Sequence, residues 1–284
     1  MVSDKTLFFL IAFFVFLLGS AVGSFLNVVA FRYGSGRSIL GRSFCPSCGK
    51  GLSFWELVPV LGFFLVGGRC SECKSKISRQ YLLAETATGL LFLFTFLATR
   101  SQFPPPALFS LSLAYVWFVM SLLVLITLYD IRHKIIPPLF SSLLIVATLV
   151  WNIFFLIFPH HPIRPSLSDL LGGVVLFTFF FLLWFISRGR WMGLGDAFLA
   201  LGIGFFLGWQ KSLSAFLLSF WIGAAVSLAL LLTDKFLPRR GKSQLRLTGK
   251  PVTMKSEVPF APFLVAGTLL SYFYSPLSWF SPLS

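Results

Sequence analysis

Residues 108–130 read LFSLSLAYVWFVMSLLVLITLYD, an uncharged run of 22 residues that stops on an aspartate. A helix crosses the hydrocarbon layer with about 20 apolar residues. This run is therefore long enough to span a bilayer, and its end places Asp130 near one membrane face. The pattern recurs. Apolar runs cover about 7–30, 81–99, 135–158, 170–186, 197–209, 212–233 and 260–280. With 108–129 they make eight expected spans, the sixth short and beginning inside the turn at 193–196.

Composition agrees with this reading. Of the 284 residues, 57% are hydrophobic and 18% aromatic, only 11% are charged, and the mean hydropathy is +0.88. Soluble domains carry about 25% charged residues, so a water-soluble enzyme and a disordered chain are both excluded. A net charge of +14 could suit a nucleic-acid binder, but here apolar runs separate the basic residues, and no nucleic-acid partner is expected. The basic residues sort by side instead. Segments 31–80, 131–134, 187–190 and 234–259 hold 19 of the 23 Lys and Arg residues; Lys5, Arg100, Arg164 and Lys211 are the remainder. The positive-inside rule then puts the basic segments in the cytoplasm and both termini on the far side. The basic face, with Arg239, Arg240, Lys242 and Arg246, reads as a surface for anionic lipid headgroups. The first run has no clear small-residue cleavage site and reads as a permanent helix. Its Gly19, Ser20, Gly23, Ser24 and Asn27 share one face, a stripe suited to close helix packing.

All four cysteines fall in one expected cytoplasmic segment, as Cys45-Pro46-Ser47-Cys48 and Cys70-Ser71-Glu72-Cys73. Two C-x2-C knuckles supply four thiolates to a tetrahedral metal and leave no open position, which describes a structural zinc site. A reducing cytoplasm disfavours disulfides there. The stretch between the knuckles is apolar but short and interrupted by Pro59; it is expected in the interface or against the bundle.

Nine carboxylates remain to be placed. Asp4, Glu56, Glu72, Asp169, Asp234 and Glu257 sit in loops or at span ends and read as solvated. Glu85 lies one turn into the second span. Asp130 ends the third, and Asp196 stands in Gly193-Leu194-Gly195-Asp196, where the fifth span hands over to the sixth. Ionisable groups at membrane depth are costly and mark function. Asp130 and Asp196 are expected at the same depth. Two close carboxylates share one proton, so one can act as base toward water and the other as acid toward a leaving nitrogen. The glycines beside Asp196 would let a substrate backbone approach, and Pro137 and Pro138 would break the next helix beside Asp130.

These motifs together resemble the prepilin peptidase family, the type IV prepilin leader peptidase/N-methyltransferases. The resemblance covers most of the chain. It rests on Gly23-Ser24-Phe25-Leu26-Asn27-Val28-Val29 with Arg32 and on the two knuckles with Trp55-Glu56 and Pro59. It extends through Gly68-Arg69-Cys70, Ile77-Ser78, Tyr81 and Glu85, to Asp130 with Ile136-Pro137 and Gly193-Leu194-Gly195-Asp196. It implies a membrane aspartic endopeptidase with Asp130 and Asp196 as the catalytic pair and Cys45, Cys48, Cys70 and Cys73 on zinc. It implies prepilin or pseudopilin substrates cut after a glycine at the cytoplasmic face of the bacterial inner membrane. It further implies methylation of the new N-terminus by S-adenosylmethionine, for which no residues are assigned. Three positions depart from the family pattern: Phe198 stands where many members have Lys, Pro138 where Asp or Asn is common, and Leu82 where a Pro often follows the Tyr.

The expected architecture is all-α: a first transmembrane helix at 1–30, a four-cysteine module at 31–80 and a seven-helix peptidase domain at 81–284. Two other readings compete. A presenilin-like protease suits the aspartate motifs but not the cysteine loop or the short chain. A transporter or assembly scaffold would use the carboxylates as a proton relay. The sequence does not specify an oligomeric state.

Overall fold

A backbone surrounded by lipid must satisfy its own hydrogen bonds, and helices do so within one segment. The computed structural model describes residues 4–100, 106–157, 167–236 and 259–274; the regular elements among them are all helices, with two isolated β-bridges and no strand. The helices are α1 (Asp4–Arg32), α2 (Phe54–Leu57), α3 (Leu61–Leu65), α4 (Arg79–Arg100), α5 (Pro106–His133), α6 (Pro138–Ile157), α7 (Leu167–Ser187), α8 (Leu194–Phe236) and α9 (Ala261–Phe273). The expected basic loop with Arg239, Arg240, Lys242 and Arg246 lies outside the described residues, as does Glu257.

Six helices, α1 and α4 to α8, are long and apolar enough to cross a membrane, and the chain is a multi-pass membrane protein. The count of eight differs for two local reasons. The expected sixth and seventh spans are the two limbs of α8, two helices that meet at Gly208 (φ 74°, ψ 177°) and count as one among the six. Only glycine adopts that conformation without strain, and the Ser212 hydroxyl donates to Gly208 O (2.5 Å) and Gly204 O (3.3 Å) to cover carbonyls beside the break. Of the last expected span, 260–280, the described residues hold the 13-residue helix α9, and 275–280 lie outside them.

The chain divides into two compact units, residues 1–129 and 130–284. In the first, α1 packs on α4 through the small-residue stripe. A methyl group added at Gly19 would lie 2.8 Å from Phe92 Cβ, and one at Gly23 would lie 2.9 Å from Glu85 Cα. Dispersion between backbones this close replaces the hydrophobic drive that lipid removes. Asn27 is buried and donates to Gly23 O and Tyr81 O, so it ties the two helices together. Farther along, Val15, Phe92, Phe96 and Leu113 form a cluster. Phe92 stacks on Trp117 at 4.7 Å, and the Trp117 indole N–H donates to Thr95 Oγ1.

In the second unit α8 is the hub, with α6, α7 and α9 all packed on it. Gly172 and Gly173 of α7 meet Gly204 and Gly208 of α8 backbone to backbone. Asn152 of α6 donates to Phe205 O at 2.8 Å, and Ser271 of α9 donates to Lys211 O at 2.7 Å. The fully buried Phe180 gathers Phe216, Phe220 and Phe260 around it. Asp169, expected at a solvated surface, instead sets its carboxylate against the Gly208 break.

Candidate active site and metal centre

The carboxylate pair lies in the second unit. Asp130 is in the last turn of α5. The helix stops four residues later because Lys134 turns to φ 56° while its N–H donates to Asp130 O at 2.7 Å. Asp196 is the third residue of α8, where its Oδ2 reaches back to accept the Gly193 N–H at 3.2 Å. That is the geometry of an acidic residue at the N3 position satisfying the cap backbone. Asp130 Oδ2 accepts the Ala261 N–H, the first of α9, at 3.2 Å. Each carboxylate therefore sits on the positive end of a helix, one on its own and one on another. Both are buried, with 4% and 9% of their surfaces exposed, and they are close enough for the charge of Asp130 to act on Asp196. The structure thus brings together the two aspartates that the sequence separates by 65 positions.

The role of the glycines differs from the expectation. Neither Gly193 nor Gly195 has a positive φ. A methyl at Gly195 would lie 2.9 Å from Ile136 Cβ and 3.4 Å from Ile136 O, so its bare backbone is taken up by the Ile136-Pro137 segment rather than left for a substrate. Gly193 is the open one, with only Asp196 Oδ2 within 3.4 Å. Pro138 begins α6, and Pro137 O accepts the Phe140 and Ser141 N–H groups, so this carbonyl is already engaged. Phe198, where many family members have Lys, lies against Phe177 at 5.5 Å. Sequence reasoning missed Ile136 as the clamp and the α9 N-terminus as a donor. The second leaves no sequence signal, because any backbone N–H would serve.

The four thiols lie in the first unit. The two knuckles are copies of one turn. Cys45 N–H donates to Lys50 O and Cys70 N–H to Ser75 O, each 2.8–2.9 Å, and bridges Phe44–Gly51 and Arg69–Lys76 close the two turns. The fifth residue of each has positive φ: Gly49 at 76° and Lys74 at 58°. The four Sγ atoms lie within 4.8 Å of one another, with Cys45–Cys73 at 3.8 Å and Cys48–Cys70 at 4.0 Å. Zinc–sulfur bonds of about 2.3 Å put tetrahedral corners about 3.8 Å apart, so the four thiols fit a tetrahedral metal ion. Backbone N–H groups of Cys48 and Ser47, helped by the Ser75 hydroxyl, lower Cys45 to about 6, and Ser75 lowers Cys73 as well. A lowered value at Cys45 and Cys73 favours the thiolate, the form that binds metal.

Three further groups hold this module. Arg32, buried at the end of α1, donates to the carbonyls of Ser38, Ile39, Gly41 and Arg42 and lies over the Phe44 ring. Glu56 braces the knuckles against each other: its carboxylate accepts from Ser53 N–H and Ser71 Oγ and pairs with Lys50 Nζ at 3.5 Å. The Ser53 N–H first, then the Ser71 hydroxyl, hold its carboxyl at about 2, so this residue is a structural brace rather than a solvated charge. Glu85 accepts the Val60 N–H at 2.7 Å and a bond from Ser24. Val60 sits at φ 64°, ψ −56°, the centre of a tight turn in which Leu61 N–H donates to Pro59 O at 2.6 Å. Such a conformation is strained for a β-branched residue and persists only where surrounding structure imposes it.

Membrane-spanning helices, two buried aspartates on helix N-termini and four clustered thiols are what a membrane-bound aspartic peptidase with a cysteine module would need. Comparison with known proteins narrows this. The family model described as the Bacterial Peptidase A24 N-terminal domain matches residues 17–99, and that of the Type IV leader peptidase family matches residues 117–228. The chain is similar to the "Prepilin leader peptidase/N-methyltransferase" of Myxococcus xanthus, 34% identical over 87% of this chain and 72% of the relative. Proteins of the same description from Bacillus subtilis (31% identical; 92% and 93% covered) and Pseudomonas aeruginosa (31%; 88% and 86%) match as well. The chain belongs to the type IV leader peptidase family. No solved structure matches it.

Proposed function

We propose that this protein is an aspartic endopeptidase that removes the basic leader from type IV prepilins or related pseudopilins and then N-methylates the exposed residue. The observation that carries the reading is the Asp130–Asp196 pair: two buried carboxylates in electrostatic reach, each supported by one backbone N–H. The pair holds one proton between its members. The ionised carboxylate takes a proton from water as the water attacks the scissile carbonyl. The protonated carboxylate passes its proton to the departing nitrogen. The helix ends steady the pair as negative charge moves between the two.

Cys45, Cys48, Cys70 and Cys73 would hold zinc, which would cross-link the module as a closed structural ion. S-adenosylmethionine would supply the methyl group of the second reaction. The domain organisation that goes with this reading is a first helix at 1–30, the cysteine module at 31–80 and the peptidase at 81–284. The sorting of basic residues supports a module and pair at the cytoplasmic face of the bacterial inner membrane, against anionic headgroups.

The test incubates purified protein in lipid with a prepilin bearing a basic leader and a Gly-Phe junction, with and without S-adenosylmethionine. Intact-mass spectrometry reads wild type, Asp130→Asn and Asp196→Asn. Leader loss in the wild type and in neither variant supports the pair, and a further gain of about 14 Da, one methyl group, supports the second activity. Failure of folded, zinc-loaded protein to cut several prepilins overturns the reading.

A further inference from the structure

The segment between the knuckles has a use that neither the zinc centre nor the carboxylate pair requires. Phe54, Trp55, Leu57, Leu61, Phe64 and Leu65 are exposed on α2 and α3, Trp55 by 69% and Leu65 by 67%. A cluster of large apolar side chains this bare is not left in water. The stretch 54–65 contains a single charge, Glu56, which Lys50 and Ser71 neutralise and satisfy. Between Cys45 and Ser78 the basic residues are Lys50, Arg69, Lys74 and Lys76, all in the knuckles, and 51–68 carries none.

The depth of this hairpin is fixed by a bond. Its tip, Val60, donates to Glu85, the seventh residue of α4. At about 1.5 Å rise per residue, Glu85 stands about 9 Å along the helix from Arg79, where the apolar span of α4 begins. The tip is therefore level with side chains already inside the span. Phe25 of α1 and Leu83 of α4, on the two helices that carry the hairpin's partners, are exposed apolar residues as well. At that depth a bare apolar face suits lipid rather than water, and tryptophan is enriched at membrane interfaces.

We propose that residues 54–65 form a re-entrant membrane anchor whose aromatic face lodges in the acyl region of the leaflet on the module's side, and that phospholipid is its occupant. The strained turn at Val60 and its bond to Glu85 set the depth of insertion, and the anchor holds the metal centre against the membrane.

The test places a benzophenone amino acid at Trp55 or Phe64 in the full-length, zinc-loaded protein, reconstituted in phosphatidylethanolamine/phosphatidylglycerol vesicles with prepilin present. Phe14 of α1, 63% exposed, is the lipid-facing reference, and Glu72 on the second knuckle is the aqueous reference. After irradiation, mass spectrometry counts lipid and protein adducts, and zinc stoichiometry verifies each folded variant. Lipid adducts at positions 55 and 64 matching those at 14, and about tenfold above those at 72, are the expected result for an inserted apolar face. Cross-links to prepilin in place of lipid overturn the proposal and make this face a substrate dock. Yields at 55 and 64 no higher than at 72 overturn it too and place the hairpin in water. The two positions are independent, so loss of zinc from one variant leaves the other decisive.

Discussion

Replacing Gly195 by alanine tests whether packing, rather than substrate access, explains the glycine beside Asp196. The added methyl would sit 2.9 Å from Ile136 Cβ, whereas carbon atoms in contact prefer about 3.5–4.0 Å. The shortfall is therefore roughly 0.6–1.1 Å. Both partners are backbone-fixed, a helix N-terminus and the residue before a proline, so neither side chain can rotate away. Overpacking of this kind costs about 1–3 kcal/mol, and a displacement near 1 Å at reacting groups costs about 10²-fold in rate. Gly195→Ala should remain folded in detergent with a lowered unfolding temperature and lose about 10²-fold in kcat/KM for prepilin cleavage. Gly193→Ala is the internal control. Its methyl would meet only Asp196 Oδ2, at an ordinary 3.4 Å, and its φ suits an L-residue. That variant should stay within a few-fold of wild type. Full activity in Gly195→Ala would refute the packing account. Equal damage in Gly193→Ala would show that the open backbone there is substrate space.

Three other outcomes follow from the first unit. Wild type should bind one zinc per chain, and Cys70→Ser should lose it, because a closed tetrahedral site tolerates no missing corner; metal analysis of gel-filtered protein reads both. Glu85→Leu should destabilise the module by about 1–3 kcal/mol, the cost of leaving the Val60 N–H buried without an acceptor, while Glu85→Gln, whose carbonyl can still accept, should recover most of it in thermal unfolding. Glu56 has a depressed folded value, so its stabilisation is fully present above the ordinary glutamate range near pH 4.5 and is lost as pH falls through about 2. The gap in unfolding temperature between wild type and Glu56→Gln should be constant from pH 7 to 5 and close below pH 4; a gap that widens on acidification would contradict the brace.

Helix existence was legible along most of the chain because lipid admits one local solution to backbone hydrogen bonding, and apolar runs announce it. The division at Gly208 was legible as a short sixth span followed by a seventh, yet its geometry was not: how the two helices meet depends on Asp169, Gly172 and Ser212 packing around the glycine. Glu56 illustrates the opposite failure. Alone in the sequence it reads as a surface charge, and only the meeting of two knuckles gives it Lys50 and Ser71.

The sequence by itself determined the class of molecule, the four thiols and the two aspartates, since each depends on residue type and spacing within a short window. The C-x2-C turn is local geometry, and a carboxylate in an apolar run is costly wherever the run goes. Tertiary structure alone decided that the N-terminus of α9 supplies a donor to Asp130, that Ile136 consumes the bare face of Gly195, and that Glu85 fixes the Val60 turn. Those contacts join positions tens of residues apart through backbone groups that every residue carries. Composition and spacing leave no mark of them; they come into being when the helices pack.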